Sequence, residues 1–134
     1  MQISLSPIGY LRTEETELPR HWSVSERRGR IELEAQYAAG LQGIEAGQEI
    51  VALFAFHRSE PFSPERLIQR PPHSDHERGV FATCSPRRPN PIGLSVLRVL
   101  EVGEAALEVA RIDMADGTPI LDIKPHIAAA AVDA

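Results

Sequence analysis

Cysteine, lysine and asparagine are nearly absent from this chain of 134 residues: each occurs once, as Cys84, Lys124 and Asn90. One cysteine excludes an internal disulfide and fits a reducing compartment, so a cytoplasmic location is expected. No apolar run approaches the roughly 20 residues that span a bilayer, and no basic segment followed by an apolar core marks a secretory leader at the start. Aromatic residues make up only 5 %, so Trp22 and Tyr10 read first as core-completing side chains rather than base-stacking platforms. The dinucleotide fingerprint is missing too. Gly40-Leu-Gln-Gly43 is not Gly-x-Gly-x-x-Gly and has no βαβ context, which argues against a Rossmann-type enzyme.

A formal charge of −5 argues against indiscriminate nucleic-acid binding, yet the charge is unevenly spread. Arg58 to Arg98 holds seven arginines against four acids. At its centre lies Ser85-Pro-Arg-Arg-Pro-Asn-Pro-Ile-Gly-Leu-Ser95. Pro86, Pro89 and Pro91 fix φ at nearly alternate positions and extend their predecessors, so the loop is ordered before any ligand arrives. Between them Arg87 and Arg88 offer guanidinium forks, and Asn90 an amide that donates and accepts. The segment reads as a ligand cradle. Bracing of the loop through main-chain carbonyls is the plainer use of the two arginines, and a simple turn is the plainer use of Asp116-Gly117.

The length suits one domain over residues 1–134 with a single core. Ile3–Tyr10 and Gly29–Glu34 alternate like half-buried strands, and the polar loop Thr13–Arg28 between them is long enough to act as a lid. Glu49–His57 predicts a buried strand. Arg58–Arg78 predicts a proline-rich surface excursion with one helical turn near Pro64–Leu67. Val80–Thr83 predicts a further strand, Leu94–Val102 and Ala105–Ile112 a hairpin through Gly103-Glu104, and Ile120–Pro125 a last strand before an uninformative Ala128–Ala131 tail. Many short strands and few, short helices point to a mainly β fold, an antiparallel sheet closed into a small barrel.

Phe81-Ala-Thr83, Ser85-Pro86, Arg88-Pro-Asn-Pro-Ile-Gly-Leu-Ser95 and Asp116-Gly-Thr-Pro-Ile-Leu-Asp-Ile-Lys-Pro125 together resemble the TsaA-like (TrmO, YaeB-like) family, and Arg28–Glu32 and Leu53–His57 extend the likeness upstream. The resemblance implies a β-barrel homodimer that binds S-adenosylmethionine near the subunit interface and methylates N6 of threonylcarbamoyladenosine beside the tRNA anticodon. It implies cofactor contacts from Phe56, His57, Thr83, Ser85, Arg87 and Arg88. Pro89, Asn90, Ile92, Gly93 and Leu94 complete the loop's share, and Asp116, Thr118 and Lys124 belong to the second motif. In this chain Cys84 stands where the family carries arginine and His126 where it carries tyrosine, and the extra C-terminal domain of longer bacterial members is not expected.

The chemistry of the residues is compatible. A guanidinium of Arg87 or Arg88 suits the cofactor's carboxylate, Asn90 an adenine edge, and Asp116 or Asp122 a diol or ammonium. Asp122, His57 or Asp116 is available to accept the acceptor's proton. Two other readings stand beside this one: a methyltransferase of the same fold acting on a small molecule, and a non-catalytic module that binds S-adenosylmethionine or a nucleotide. Cys84 reads as a small buried thiol rather than a nucleophile, and His73-Ser-Asp-His76 as a solvated loop rather than a metal site. Neither metal nor membrane is expected as a partner.

Overall fold

Glu49–Ala55 alternates in burial, with Ile50, Ala52 and Phe54 turned into the core, and Gly93, Ser95, Leu97 and Val99 do the same on a neighbouring strand. Period-2 patterning of this kind makes one face of each strand apolar, and a sheet that curls until its ends pair can bury that face without a second layer. The computed structural model, which describes residues 1–72 and 74–129, shows this solution. Its six barrel strands are β1 (Gly9–Arg12), β2 (Arg28–Leu33), β3 (Glu49–Ala55), β6 (Ile92–Val102), β7 (Ala106–Ala110) and β8 (Pro119–Pro125). They run antiparallel in the order β1-β2-β7-β6-β3-β8, and β1 pairs with β8 to close the barrel. The short β4 (Ile68–Gln69) and β5 (Arg78–Gly79) pair separately. Leu11, Ile31, Leu97, Leu107, Ile112 and Ile120 fill the centre, all fully buried.

Helical structure among the described residues is confined to short 3-10 segments at Trp22–Val24, Ala35–Leu41, Pro64–Leu67 and Val80–Ala82. None of them is long and apolar enough to cross a membrane. The expected helical turn at Pro64–Leu67 is present, as is the hairpin through Gly103, whose N–H donates to the Ala106 carbonyl at 2.7 Å.

Three strand expectations are corrected. The first strand starts at Gly9 rather than Ile3, and Ile3 and Leu5 are exposed. Its partner β2 ends at Leu33 and passes into the 3-10 segment, so residues before Ile8 have no ladder to join despite their alternation. Val80–Thr83 is not a strand either. Both the N–H and the Oγ1 of Thr83 donate to the Val80 carbonyl, at 3.1 and 2.8 Å, and this local pairing competes with a ladder. Finally, β7 stops at Ala110 because Arg111 takes φ 75°, the left-handed region, which turns Ile112 and Asp113 out of the hairpin. The Ala128–Ala131 tail falls partly, and His73 wholly, outside the described residues.

Candidate functional site

Beyond β3 the chain from Phe56 to Ser59 is stitched to the proline loop. The Phe56 N–H donates to the Pro91 carbonyl at 2.8 Å and the Ser59 hydroxyl to the Pro86 carbonyl at 3.2 Å. With the segment Asp113–Thr118 that leads into β8, it encloses a cavity of about 270 Å³ whose walls include Phe54, Phe56, His57, Pro86, Asp113, Met114 and Thr118. Phe54 and Phe56 meet edge to face, ring centres 5.2 Å apart. Gly93, opposite Phe54 in the ladder, makes room for that pair, since a Cβ there would overlap the Phe54 ring. Thr118 is buried, its hydroxyl bonded to the Ala115 carbonyl at 2.7 Å.

Two charged groups of this cavity, Arg58 and Asp113, were not singled out from the sequence, and Asp113 is the more buried of the two. Burial pushes its carboxyl above the usual aspartate range. The Ser95 hydroxyl, donating to Oδ1 at 2.5 Å, then the Trp22 backbone N–H and the nearby His21 all pull the other way. Ser95 is wholly buried on β6, and the Trp22–Val24 segment packs against the same strand. The loop 13–28, expected as a lid, therefore contributes part of the carboxylate's surroundings. One signal for Asp113 exists in the sequence: it is an acid between two apolar residues, Ile112 and Met114, both of which prove buried.

The proline loop is built largely from its own polar groups. Arg88 donates to the carbonyls of Thr83 and Ser85 at 3.0 and 3.1 Å. Thr83 Oγ1 accepts the Ser85 N–H and Ser85 Oγ accepts the Arg87 N–H, each at 3.2 Å. Arg88 thus braces the loop, while Arg87 is exposed and lines a larger groove of about 760 Å³ with Thr83, Cys84 and Ser85. Cys84 was expected to be buried; it is exposed on that groove, since the loop leaves the barrel before reaching it. Pro89 and Asn90 are exposed at the loop's tip.

The remaining residues named from the sequence lie outside the linings of these two hollows. Asp116 Oδ1 accepts the Thr13 N–H at 3.0 Å, and its carbonyl accepts from Arg58 at 3.4 Å, which ties the turn to the cavity wall. Asp122 and Lys124 form an ion pair at 3.0 Å on β8. Leu94 and Asp122 both stand opposite Leu53, so they share one row across β6, β3 and β8. Ile92 and Leu94 leave 41 % and 53 % of their surface exposed on that outer side. His57, Phe56 and Thr118 therefore gather at the cavity, Thr83, Ser85 and Arg87 at the groove, and Leu94 and Asp122 along the outer row, with Lys124 opposite Val51 in the next. Among the described residues no cluster of His, Cys, Asp and Glu could hold a metal ion.

The sequence profile of the tRNA-methyltransferase O N-terminal domain matches residues 10–133. A probable S-adenosyl-L-methionine-binding protein of Archaeoglobus fulgidus is 36 % identical over 129 residues, which are 94 % of this chain and 34 % of that protein. The human tRNA (adenine(37)-N6)-methyltransferase is 42 % identical over 88 residues, 66 % of this chain and 20 % of that protein. The crystal structure of TrmO from Pseudomonas aeruginosa superposes with a TM-score of 0.76 at 36 % identity, covering all of this chain and 61 % of the other. The chain thus spans between a fifth and about three fifths of these relatives.

Proposed function

The chain belongs to the tRNA-methyltransferase O N-terminal domain family, and from that premise we propose that it methylates N6 of a threonylcarbamoyladenosine beside a tRNA anticodon, using S-adenosylmethionine. The observation that carries this reading is the cavity between Phe54–Ser59 and Asp113–Thr118. Its donor set fits the cofactor: Phe54, Phe56 and Met114 offer an apolar wall for a ring, and the Asp113 carboxylate offers a partner for positive charge. The printed names of relatives that bind this cofactor or methylate tRNA adenine support the same reading.

When bound, S-adenosylmethionine supplies an electrophilic methyl on a sulfonium. The chain's own work is positioning and proton transfer. The Phe56–Pro91 and Ser59–Pro86 bonds hold the cavity wall and the proline loop at fixed spacing before binding. Asp113 takes the proton that leaves the acceptor nitrogen. Its carboxyl, held above the usual aspartate range by burial, is in its ionised form a better base than an exposed aspartate. Ser95 orients that carboxylate through its hydroxyl. His57, also on the wall, is the alternative acceptor, whereas Asp116 and Asp122 line other surfaces.

The proposed enzyme is a homodimer. The exposed Ile92 and Leu94, beside the Asp122–Lys124 pair, form the surface on which a second copy would sit. Transfer of a labelled methyl group tests the activity. Incorporation into tRNA carrying the threonylcarbamoyl group supports the reading, label in a small-molecule extract redirects it to another acceptor, and label in neither leaves a binding module.

A further inference from the structure

The groove on the far side of the proline loop is lined by four arginines drawn from three separate segments: Arg20 from the loop after β1, Arg66 and Arg70 from the proline-rich excursion, and Arg87 from the cradle. The chain carries 19 acids against 14 basic side chains, yet Glu65 is the one carboxylate that lines this groove. Among the described residues Arg20, Arg70 and Arg87 have no carboxylate within ion-pair distance, while Arg66 pairs with Glu60 at 3.8 Å. Most other arginines are occupied: Arg12, Arg27, Arg30 and Arg111 pair with acids, and Arg88 with carbonyls. Like charges gathered from distant segments repel unless an anion joins them.

The gathering is built in. The Gln69 amide donates to the carbonyls of Arg66 and of Arg87, both at 2.7 Å, so one side chain sets the spacing between the excursion and the loop. The groove also has apolar floor, with Pro71, Pro72 and an Ile68 that is 57 % exposed. A track of cations suits a nucleic-acid backbone, and the exposed proline and isoleucine faces beside it give bases an apolar surface to lie against. Pro86 lines both this groove and the smaller cavity, so the two hollows meet at one ring.

We propose that this groove binds the phosphodiester backbone of an RNA strand through Arg20, Arg66, Arg70 and Arg87 and leads one nucleotide past Pro86 toward the Asp113 cavity. This rests on the methyltransferase reading for the nature of the strand and assigns the surface that receives it.

The test is binding of a fluorescently labelled anticodon stem-loop RNA across a salt series, for the full chain and for the Arg20→Gln/Arg66→Gln/Arg70→Gln variant. Each lost phosphate contact removes about 0.7 from the salt slope of a single strand, so the variant's slope is shallower by about 2. Arg30→Gln, on an ion-paired arginine outside the groove, serves as control and leaves the slope unchanged. Calorimetry with S-adenosylmethionine shows unchanged affinity in the triple variant. Equal slopes for variant and wild type overturn the groove but not the methyltransferase. Absence of RNA binding by the wild type, or an acidic polypeptide bound in place of RNA, overturns the groove as an RNA track. RNA binding that depends on the groove without methyl transfer supports the groove and defeats the activity.

Discussion

The Ser95 hydroxyl donates to the Asp113 carboxylate at 2.5 Å, joining a fully buried position on β6 to the segment that follows β7. The contact places an ionisable group in an otherwise largely apolar wall. If Asp113 takes the acceptor's proton, Asp113→Asn lowers kcat by about 100-fold or more, within the range removed with a general base. Activity in the wild type falls on acidification through a pKa above that of an exposed aspartate. A variant with wild-type kcat would remove Asp113 from the chemistry.

The same residue gives a stability prediction of opposite sense. Its folded-state pKa is raised by burial, so its contribution to stability is present below the unfolded pKa and lost as pH rises through the folded one. Once ionised, the buried carboxylate weighs against folding. Asp113→Asn keeps an oxygen for Ser95 and drops the charge, so its Tm at neutral pH equals or exceeds that of the wild type, and the difference shrinks in acid. Thermal melts at several pH values check this.

Gly93→Ala pushes a methyl group into the Phe54 ring. The expected loss is about 1–3 kcal/mol, the usual range for overpacking a core. Denaturant titration measures it, and cofactor affinity falls in parallel because Phe54 and Phe56 line the cavity.

Leu94→Glu places a charge in the row that also holds Leu53 and Asp122. Sedimentation is expected to show dimer for the wild type and monomer for the variant, each with an unchanged circular dichroism spectrum. A variant that remains dimeric moves the interface elsewhere.

Asn90→Ala and Cys84→Ser separate two exposed positions on one loop. The first raises the Kd for S-adenosylmethionine by about tenfold, about 1.4 kcal/mol, without lowering Tm. The second changes turnover by less than about tenfold. Calorimetry and initial rates read these outcomes.

The barrel was legible in the sequence where side chains alternate and turn residues punctuate, as in Glu49–Ala55 and around Gly103 and Gly117. Alternation failed at Ile3 and Leu5, because a strand needs a neighbour as well as a pattern. Val80–Thr83 failed because a threonine hydroxyl offered the backbone a local partner. Within the candidate site, the dense proline motif and His57 stood out in the sequence, and Pro86 and His57 line the cavity. Asp113 did not stand out. Its surroundings come from Ser95, Trp22 and His21, which are distant in sequence and meet only when the sheet closes. The division of the motif between two hollows was equally hidden, since it depends on which side of the loop each side chain leaves.

Closure of the barrel by β1 and β8 also sets an order in time. β1 pairs on one side with β2, the next strand in the chain, but its other edge waits for almost the last described segment, and β3 waits for the same one. Until β8 arrives, two strand edges stand bare and the core is open along a seam. Folding dominated by such distant pairing is slow. A chain stopped before Pro119 would therefore present a sheet ready to aggregate.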